Sequence, residues 1–200
     1  MKAAIILKDA YLENFNKYNY DTIIGADRGS LIAISNDIKL DIAIGDFDSV
    51  NEEEFNLIKK NSKRIIKLNP IKDTSDTNSA IKLVKNYDEI YLLGGIGGNR
   101  IEHLFANIID LINYPNLHIM NRYSLIEIIT DSNYQIRNDY KFISFYSLDN
   151  NTIITLKGFK YNLDNYNLKM NDSLCLSNEI IDEPYLKLNG KLLVIYSKED

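Results

Sequence analysis

Glu89–Asn113 reads EIYLLGGIGGNRIEHLFANIIDLIN. Its first five residues form a strand-length run, apolar enough to be covered on both faces. Glycines follow at 94, 95, 97 and 98, and then Leu104, Ile108 and Leu111 recur at helical spacing across Ile101–Asn113. A strand that passes through a glycine turn into an amphipathic helix is half of a βαβ unit. The same rhythm runs through the chain on both sides. Ala3–Leu7, Thr22–Gly25, Asp41–Gly45, Arg64–Leu68 and Leu117–Met120 are further strand candidates. Glu52–Asn61 and Thr74–Tyr87 are further helices, the second placing Ala80, Val84 and Tyr87 on one face. The expectation is an α/β domain over residues 1–124, built on a mainly parallel sheet.

From about Leu125 the texture changes. LIEIIT, KFISFYSL, NTIITLKGF, DSLCLS, PYLKLN and KLLVIYS are short, β-prone and separated by Asn, Asp or Gly, with no convincing helix between them. This predicts a small all-β, sandwich-like domain over residues 125–200. A length of 200 residues accommodates both. With 45% hydrophobic and 26% charged residues the chain has the composition of a soluble globular protein. A net charge of −5 argues against a broad grip on nucleic acid or an anionic membrane. No segment approaches transmembrane length, and AAIIL is shorter than a signal-peptide core. Cys175 is the single cysteine, so no intramolecular disulfide can form, which fits a reducing cytoplasm. Within SLCLS it reads as a buried, inert strand residue.

Three acidic clusters share one structural position. TIIGADRGS puts Asp27 just past a strand, IAIGDFDS puts Asp46 and Asp48 just past the next, and PIKDTSDTNSA puts Asp73 and Asp76 after another, at the mouth of a helix. In open α/β sheets ligands bind beyond the carboxyl ends of the strands. Crowded carboxylates need a cation or a shared proton, and hard oxygen ligands suit Mg²⁺ carrying a phosphate chain. Each cluster also has a bland reading. Asp46 and Asp48 could be turn residues, and Asp73 or Asp76 a helix cap, with Thr74 and Ser75 as rivals.

The glycine segment is the fourth cluster. Its helix carries Arg100, Glu102, His103 and Asn107. Glycines let the backbone approach a bulky anion, and a helix N-terminus offers unpaired N–H groups to phosphate. Neither standard nucleotide signature is present: there is no G-x-x-x-x-G-K-[ST], and GIGGNR fails G-x-G-x-x-G at its last glycine. An Asp pair of the haloacid-dehalogenase kind would follow the first strand, whereas this one follows the third.

In order, GADRG, GDFDS, KDTSDTNSA and GGIGGNRIEH closely resemble the motifs of thiamine pyrophosphokinases, A-D-G-G, G-D-F-D-S, K-D-x-T-D and G-G-R-x-D-H. LKGFKYNLDNYNL and LSNEI resemble that family's G-x-K-[YW]-x-L segment and its closing S-N-E. The resemblance implies an α/β domain followed by a β-sandwich. It also implies Mg²⁺-dependent transfer of a pyrophosphoryl group from ATP to the thiamine hydroxyl, giving thiamine diphosphate and AMP. Carried over by motif, Asp46, Asp48 and Asp76 would hold the metal, with Asp27 and Asp73 close by as further catalytic carboxylates. Ser49, Lys72, Thr77, Gly97, Gly98, Arg100, His103 and Asn107 would serve the nucleotide. Tyr161, Ser177 and Asn178 would frame thiamine, the aromatic ring lying against a cationic ligand. The resemblance further implies a homodimer whose active site borrows residues from the second subunit's β domain.

This sequence departs from the pattern at four positions: Arg28 and Asn99 replace glycines, Glu102 replaces Asp, and Asn78 stands where Glu is usual. Two other readings share the residues. One is a binder of ATP or thiamine with altered chemistry, and the other is a metal-dependent phosphohydrolase. His118 reads as a structural strand residue, and Glu52–Glu54 as stabilisers of a helix's first turn.

Overall fold

A computed structural model describes residues 1–13, 15–71, 73–97, 100–130 and 134–199. The chain forms two compact units, Met1–Arg122 and Tyr123–Asp200. Among the described residues no helix is long and apolar enough to cross a membrane.

In the first unit the strands are β1 (Lys2–Ile6), β2 (Thr22–Ala26), β3 (Leu40–Gly45), β4 (Ser62–Lys67), β5 (Glu89–Leu93) and β6 (Leu117–Met120). The helices are α1 (Gly29–Ser35), α2 (Glu52–Asn61), α3 (Asp76–Val84) and α4 (Ile101–Asn113), with a 3₁₀ turn at Phe15–Tyr18. The strand order is β6-β5-β1-β2-β3-β4, and every pairing along it is parallel. Helices cover such a sheet on both faces, which is why the inner strands are apolar throughout rather than alternating. Ala3 to Ile6 and Ile90 to Leu93 are all buried. The chain runs outward from β1 to β4, then returns to the other side of β1 for β5 and β6. β1 therefore marks the switch point, and the strand ends around it open the crevice where α/β sheets bind ligands.

The second unit contains β7 (Ser124–Ile129), β8 (Phe142–Ser147), β9 (Thr152–Phe159), β10 (Leu163–Leu168), β11 (Asn178–Asn189) and β12 (Leu192–Ser197). Its order is β10-β9-β11-β8-β12-β7, with every pairing antiparallel. β11 pairs with β8 at Asn178 and Glu179, and with β9 from Ile180 onward. The register with β9 shifts between Ile180 and Tyr185, where Pro184 cannot donate a ladder hydrogen bond. Gly158 accommodates that bulge. Its φ is 78°, and a Cβ there would stand 2.1 Å from the Glu183 carbonyl oxygen. Phe145 and Phe159 meet edge to face at 6.0 Å in the core.

DSLCLS does not form the strand its composition predicts; residues 171–177 are turns and loop. Asp172 Oδ1 accepts from Leu174 N (2.9 Å), and Leu176 N donates to Ser173 O (3.2 Å). These local bonds offer the backbone an alternative to a ladder. Cys175 is buried in that turn rather than in a strand, and burial pushes its thiol up to about 11.

Candidate active site

The Asp46–Phe47–Asp48 stretch is organised by its central residue. Phe47 is buried, packs against Phe55 of α2 at 5.1 Å and has a φ of 59°. With the ring drawn into the core, both flanking aspartates are left on the outer side of the turn. Asp46 is half-buried and its Oδ1 accepts from Asp48 N (3.1 Å), while Asp48 is exposed.

The loop after β2 comes to meet this turn. Asp27 has a φ of 48°, its N–H donates to Ile44 O (2.8 Å), and its Oδ2 accepts from Ser49 Oγ (2.9 Å). Its other oxygen, Oδ1, is buried and has no hydrogen-bond partner. Arg28 ties the same two loops together. Its Nη1 donates to Ser49 O (2.6 Å) and its Nη2 pairs with Glu54 Oε1 (3.2 Å). The cation that replaces a family glycine is thus engaged by the GDFDS turn and the start of α2. That helix start is itself a capping box, in which Asn51 and Glu54 exchange side-chain and backbone bonds.

Asp76 opens α3, and the cap of that helix is Ser75, whose Oγ accepts from Asn78 N (3.0 Å). Neither Asp73 nor Asp76 is needed for capping. Asp73 is exposed, Asp76 and Thr77 are half-buried, and Lys72 lies outside the described residues.

At the end of β5, Gly94 and Gly95 adopt φ values of 96° and 75°. Both oxygens of Asp9, in the loop after β1, accept from Gly95 N (2.8 and 3.0 Å). Gly97 is exposed, with open space where a Cβ would stand. Gly98 and Asn99 lie outside the described residues. On α4, Arg100 and His103 are exposed, and Arg100 Nε donates to Glu102 Oε1 at 2.7 Å. That bond holds the Glu102 carboxyl below its ordinary range. Asn107 is different in kind: it is buried, and its Nδ2 donates to Gly95 O (3.0 Å). It therefore supports the glycine loop from beneath. Asp9 carries no motif signal in the sequence. Its role shows only in the pairing of β1 with β5, which brings their following loops together.

The donor set can be tested against Mg²⁺. Among the described residues no three His, Cys, Asp or Glu side chains stand together as a metal cage, so Asp46, Asp48 and Asp76 do not form one. Mg²⁺ rarely uses such a cage, because it keeps several waters and takes one or two carboxylates plus substrate phosphate oxygens. A buried carboxylate oxygen without a donor, on Asp27, whose other oxygen is tied to Ser49 of the GDFDS turn, is the kind of atom that such an ion satisfies. The residues fit.

Tyr161, Ser177 and Asn178 belong to the second unit, where the structure brings them together. Asn178 is buried and holds the Tyr161 loop by two bonds: Tyr161 N donates to its Oδ1 (3.0 Å), and its Nδ2 donates to Tyr161 O (2.8 Å). The Tyr161 ring stands 60% exposed, free to face a ligand. Ser177 has a φ of 52°, and its N–H donates to Ser144 Oγ (2.9 Å). Lys160, paired with Glu179 at 2.6 Å, also lies over the Tyr161 ring at 5.8 Å.

Comparison with known proteins gives this geometry a family. Residues 15–121 match "Thiamin pyrophosphokinase, catalytic domain", and residues 127–192 match "Thiamin pyrophosphokinase, vitamin B1 binding domain". A thiamine pyrophosphokinase of Bacillus subtilis is 30% identical over 166 residues, covering 79% of this chain and 78% of its own. The crystal structure of a thiamine pyrophosphokinase from Bacillus subtilis superposes with a TM-score of 0.84 at 26% identity, with the whole of both chains covered. The structure of a thiamin pyrophosphokinase family protein from Enterococcus faecalis superposes with a TM-score of 0.85 at 25% identity, again over the whole of both chains. This chain belongs to the thiamin pyrophosphokinase family.

Proposed function

We propose that this enzyme transfers a pyrophosphoryl group from ATP to the hydroxyl of thiamine, giving thiamine diphosphate and AMP. The observation that carries the proposal is the meeting of the Asp27 and Asp46 loops through Ser49 at the carboxyl edge of the sheet, the edge that also carries the glycine loop after β5, with β1 between them. This reaction needs positioning and charge neutralisation more than covalent chemistry. Asp27 and Asp46 would hold Mg²⁺ there, and the ion would supply positive charge to offset the charge developing on the transferred group.

Asp46 and Asp27 are the residues best placed to hold the ion, with Asp48 and Asp76 completing its surroundings through water or directly. Ser49 fixes the Asp27 carboxylate, and Asp73 lies on the same edge. Glycine-loop amides at Gly97 and Gly98, with Lys72, Thr77, Arg100 and His103, receive the triphosphate. For Arg100 this requires exchanging Glu102 for a phosphate oxygen, a small change because an exposed pair contributes at most about 1 kcal/mol. Thiamine is held in the second unit, the domain whose family description is vitamin B1 binding. Tyr161 faces its cationic ring, Asn178 fixes the Tyr161 loop, and Ser177 closes the pocket.

The functional form in this proposal is a homodimer. Its support is a row of outward apolar residues on α4, Ile101, Phe105, Ile109 and Ile112, each at least 36% exposed. Ile101, Phe105 and Ile109 follow the i, i+4 ridge that packs against a like ridge at a crossing of about −50°, and Ile112 extends the same face at i+3. A reducing cytoplasm is the proposed setting, supported by a single buried free cysteine.

The test is product analysis with ATP, Mg²⁺ and thiamine against a control without thiamine. AMP is expected to appear in step with thiamine diphosphate, and only when thiamine is present. Phosphate or ADP in both tubes would assign a hydrolase instead. Thiamine binding without turnover would assign a binder.

A further inference from the structure

Helix α4 buries two polar side chains on one face, Asn107 and Asp110, at 5% and 6% exposure. Burying a carboxylate is costly unless it is matched. The match for Asp110 comes from α3: its Oδ1 accepts from Asn78 Nδ2 at 2.5 Å, and Lys82 adds a favourable charge. Asn78 is the third residue of α3, directly after Asp76 and Thr77, and its own N–H is held by the Ser75 cap. Three residues before Asp110, Asn107 holds Gly95 O, whose N–H is taken by Asp9. One face of α4 therefore grips both the start of α3 and the glycine loop.

Position 78 is also where this sequence departs from its family pattern, which has Glu. A carboxylate there would confront the Asp110 carboxylate at hydrogen-bonding distance. The amide in its place makes positions 78 and 110 a matched donor and acceptor. An apolar pair could join the two helices as firmly, but it would not select a single register between them.

We infer that Asp110 is a positioning residue. By holding Asn78 it fixes the first turn of α3, with Asp76 and Thr77, relative to the glycine loop that Asn107 holds from the same helix face. The inference rests on the reading of this edge as the nucleotide site.

Three variants of the full chain test it. Asp110→Leu leaves the Asn78 amide without an acceptor. The double variant Asn78→Leu, Asp110→Leu removes both polar partners and so restores stability. Asp110→Asn keeps one accepting oxygen for the Asn78 amide while replacing the other oxygen, and the charge, by an NH₂ group. The measurement is calorimetric binding of Mg²⁺ with the non-transferable analogue α,β-methylene-ATP, alongside thermal unfolding. Both leucine variants are expected to bind the analogue about tenfold or more weakly, since small displacements of a positioning group have effects of that order or larger. Only the single leucine variant should unfold earlier, and Asp110→Asn should stay within about threefold of wild type.

A stable double variant that binds the analogue as tightly as wild type overturns the inference, because Asp110 would then be a structural contact alone. Equal weakening by Asp110→Asn and Asp110→Leu also overturns it, because charge rather than register would be at work. The readout is binding, so a wild type that binds the analogue but makes no thiamine diphosphate refutes the proposed reaction and leaves this inference tested. A wild type that binds no analogue refutes both.

Discussion

Phe47 shows how one apolar side chain can set the chemistry of its neighbours. Its ring belongs to the core with Ile58 and Phe55, and its left-handed backbone turns Asp46 and Asp48 outward. Phe47→Ala should cost about 3–5 kcal/mol of stability, the usual range for losing a buried aromatic ring, and denaturant unfolding reads this directly. Asp46→Ala should behave in the opposite way, with unfolding nearly unchanged and kcat lower by about 10²-fold or more at saturating Mg²⁺. Retention of normal turnover would remove Asp46 from the metal site. Both aspartates could be picked out from GDFDS alone. The part played by Phe47 could not, because nothing in the motif says which of its side chains turns inward. Asp9 and Asn107 illustrate the same limit. One has no motif, and the other looks like a ligand-facing residue until its burial and its bond to Gly95 are seen. Cys175 offers a pH test. Burial raises its thiol from 9.0 to about 11. Below the lower value the thiol is protonated in both states; between the two, the unfolded chain releases a proton that the folded chain keeps. The stability that wild type holds over Cys175→Ala should therefore decline as pH rises through that window, which urea unfolding at a series of pH values would measure.

At the scale of elements, strands β5 and β6 and helices α2 and α4 begin and end where apolar periodicity places them. α3 is shorter than its pattern, Asp76–Val84 rather than Thr74–Tyr87, because the Ser75 cap sets its start. Ser75→Ala should cost about 1 kcal/mol in thermal or chemical unfolding. It should also raise the KM for ATP, because Asp76 and Thr77 sit in the turn that the cap holds. α1 leaves almost no trace in the sequence. GSLIAIS is seven residues long and opens with glycine and serine, so neither length nor propensity supports a helix; the burial of Gly29, Ser30 and Ala33 does. In the second unit, composition finds most of the strands and fails at 171–177, where Asp172 satisfies the backbone locally. Gly158→Ala should be among the most damaging single changes in that unit. A Cβ there would combine an unfavourable φ with a backbone clash, and the expected destabilisation is about 3 kcal/mol or more.

Across the whole molecule, an alternation of strands and helices followed by a run of strands announces two units, and the sequence carries that division clearly. Strand order is another matter. That β1 lies between β5 and β2, or that β12 lies between β7 and β8, depends on contacts between residues far apart in the chain. Equally hidden is the buried Glu127, whose carboxylate is met by Arg137 at 3.2 Å and by the Tyr134 hydroxyl, which also neighbours Tyr196. LIEIIT reads only as a β-prone strand, and tertiary structure is needed to show that Tyr134 and Arg137 supply the partners of its buried carboxylate. The α4 ridge belongs to this scale as well. Phe105→Glu should shift the protein to a monomer in light scattering and make its unfolding independent of protein concentration, because the side chain that is 63% exposed in the single chain would no longer be covered by a partner. An unchanged molar mass would move the interface elsewhere.

The place of β12 has a consequence for how the chain matures. It pairs with β7 over six residues on one side and with β8 over six on the other. The six parallel strands of the first unit are all present once Met120 has left the ribosome, so that unit can fold while synthesis continues. The second unit must wait for Ser197. Until then β7 and β8 flank a gap one strand wide, each with an unpaired edge open to any extended segment nearby. The interval is brief at normal translation rates, but it lengthens whenever a ribosome stalls late in the message, and a chain released before Leu192 would carry that gap permanently.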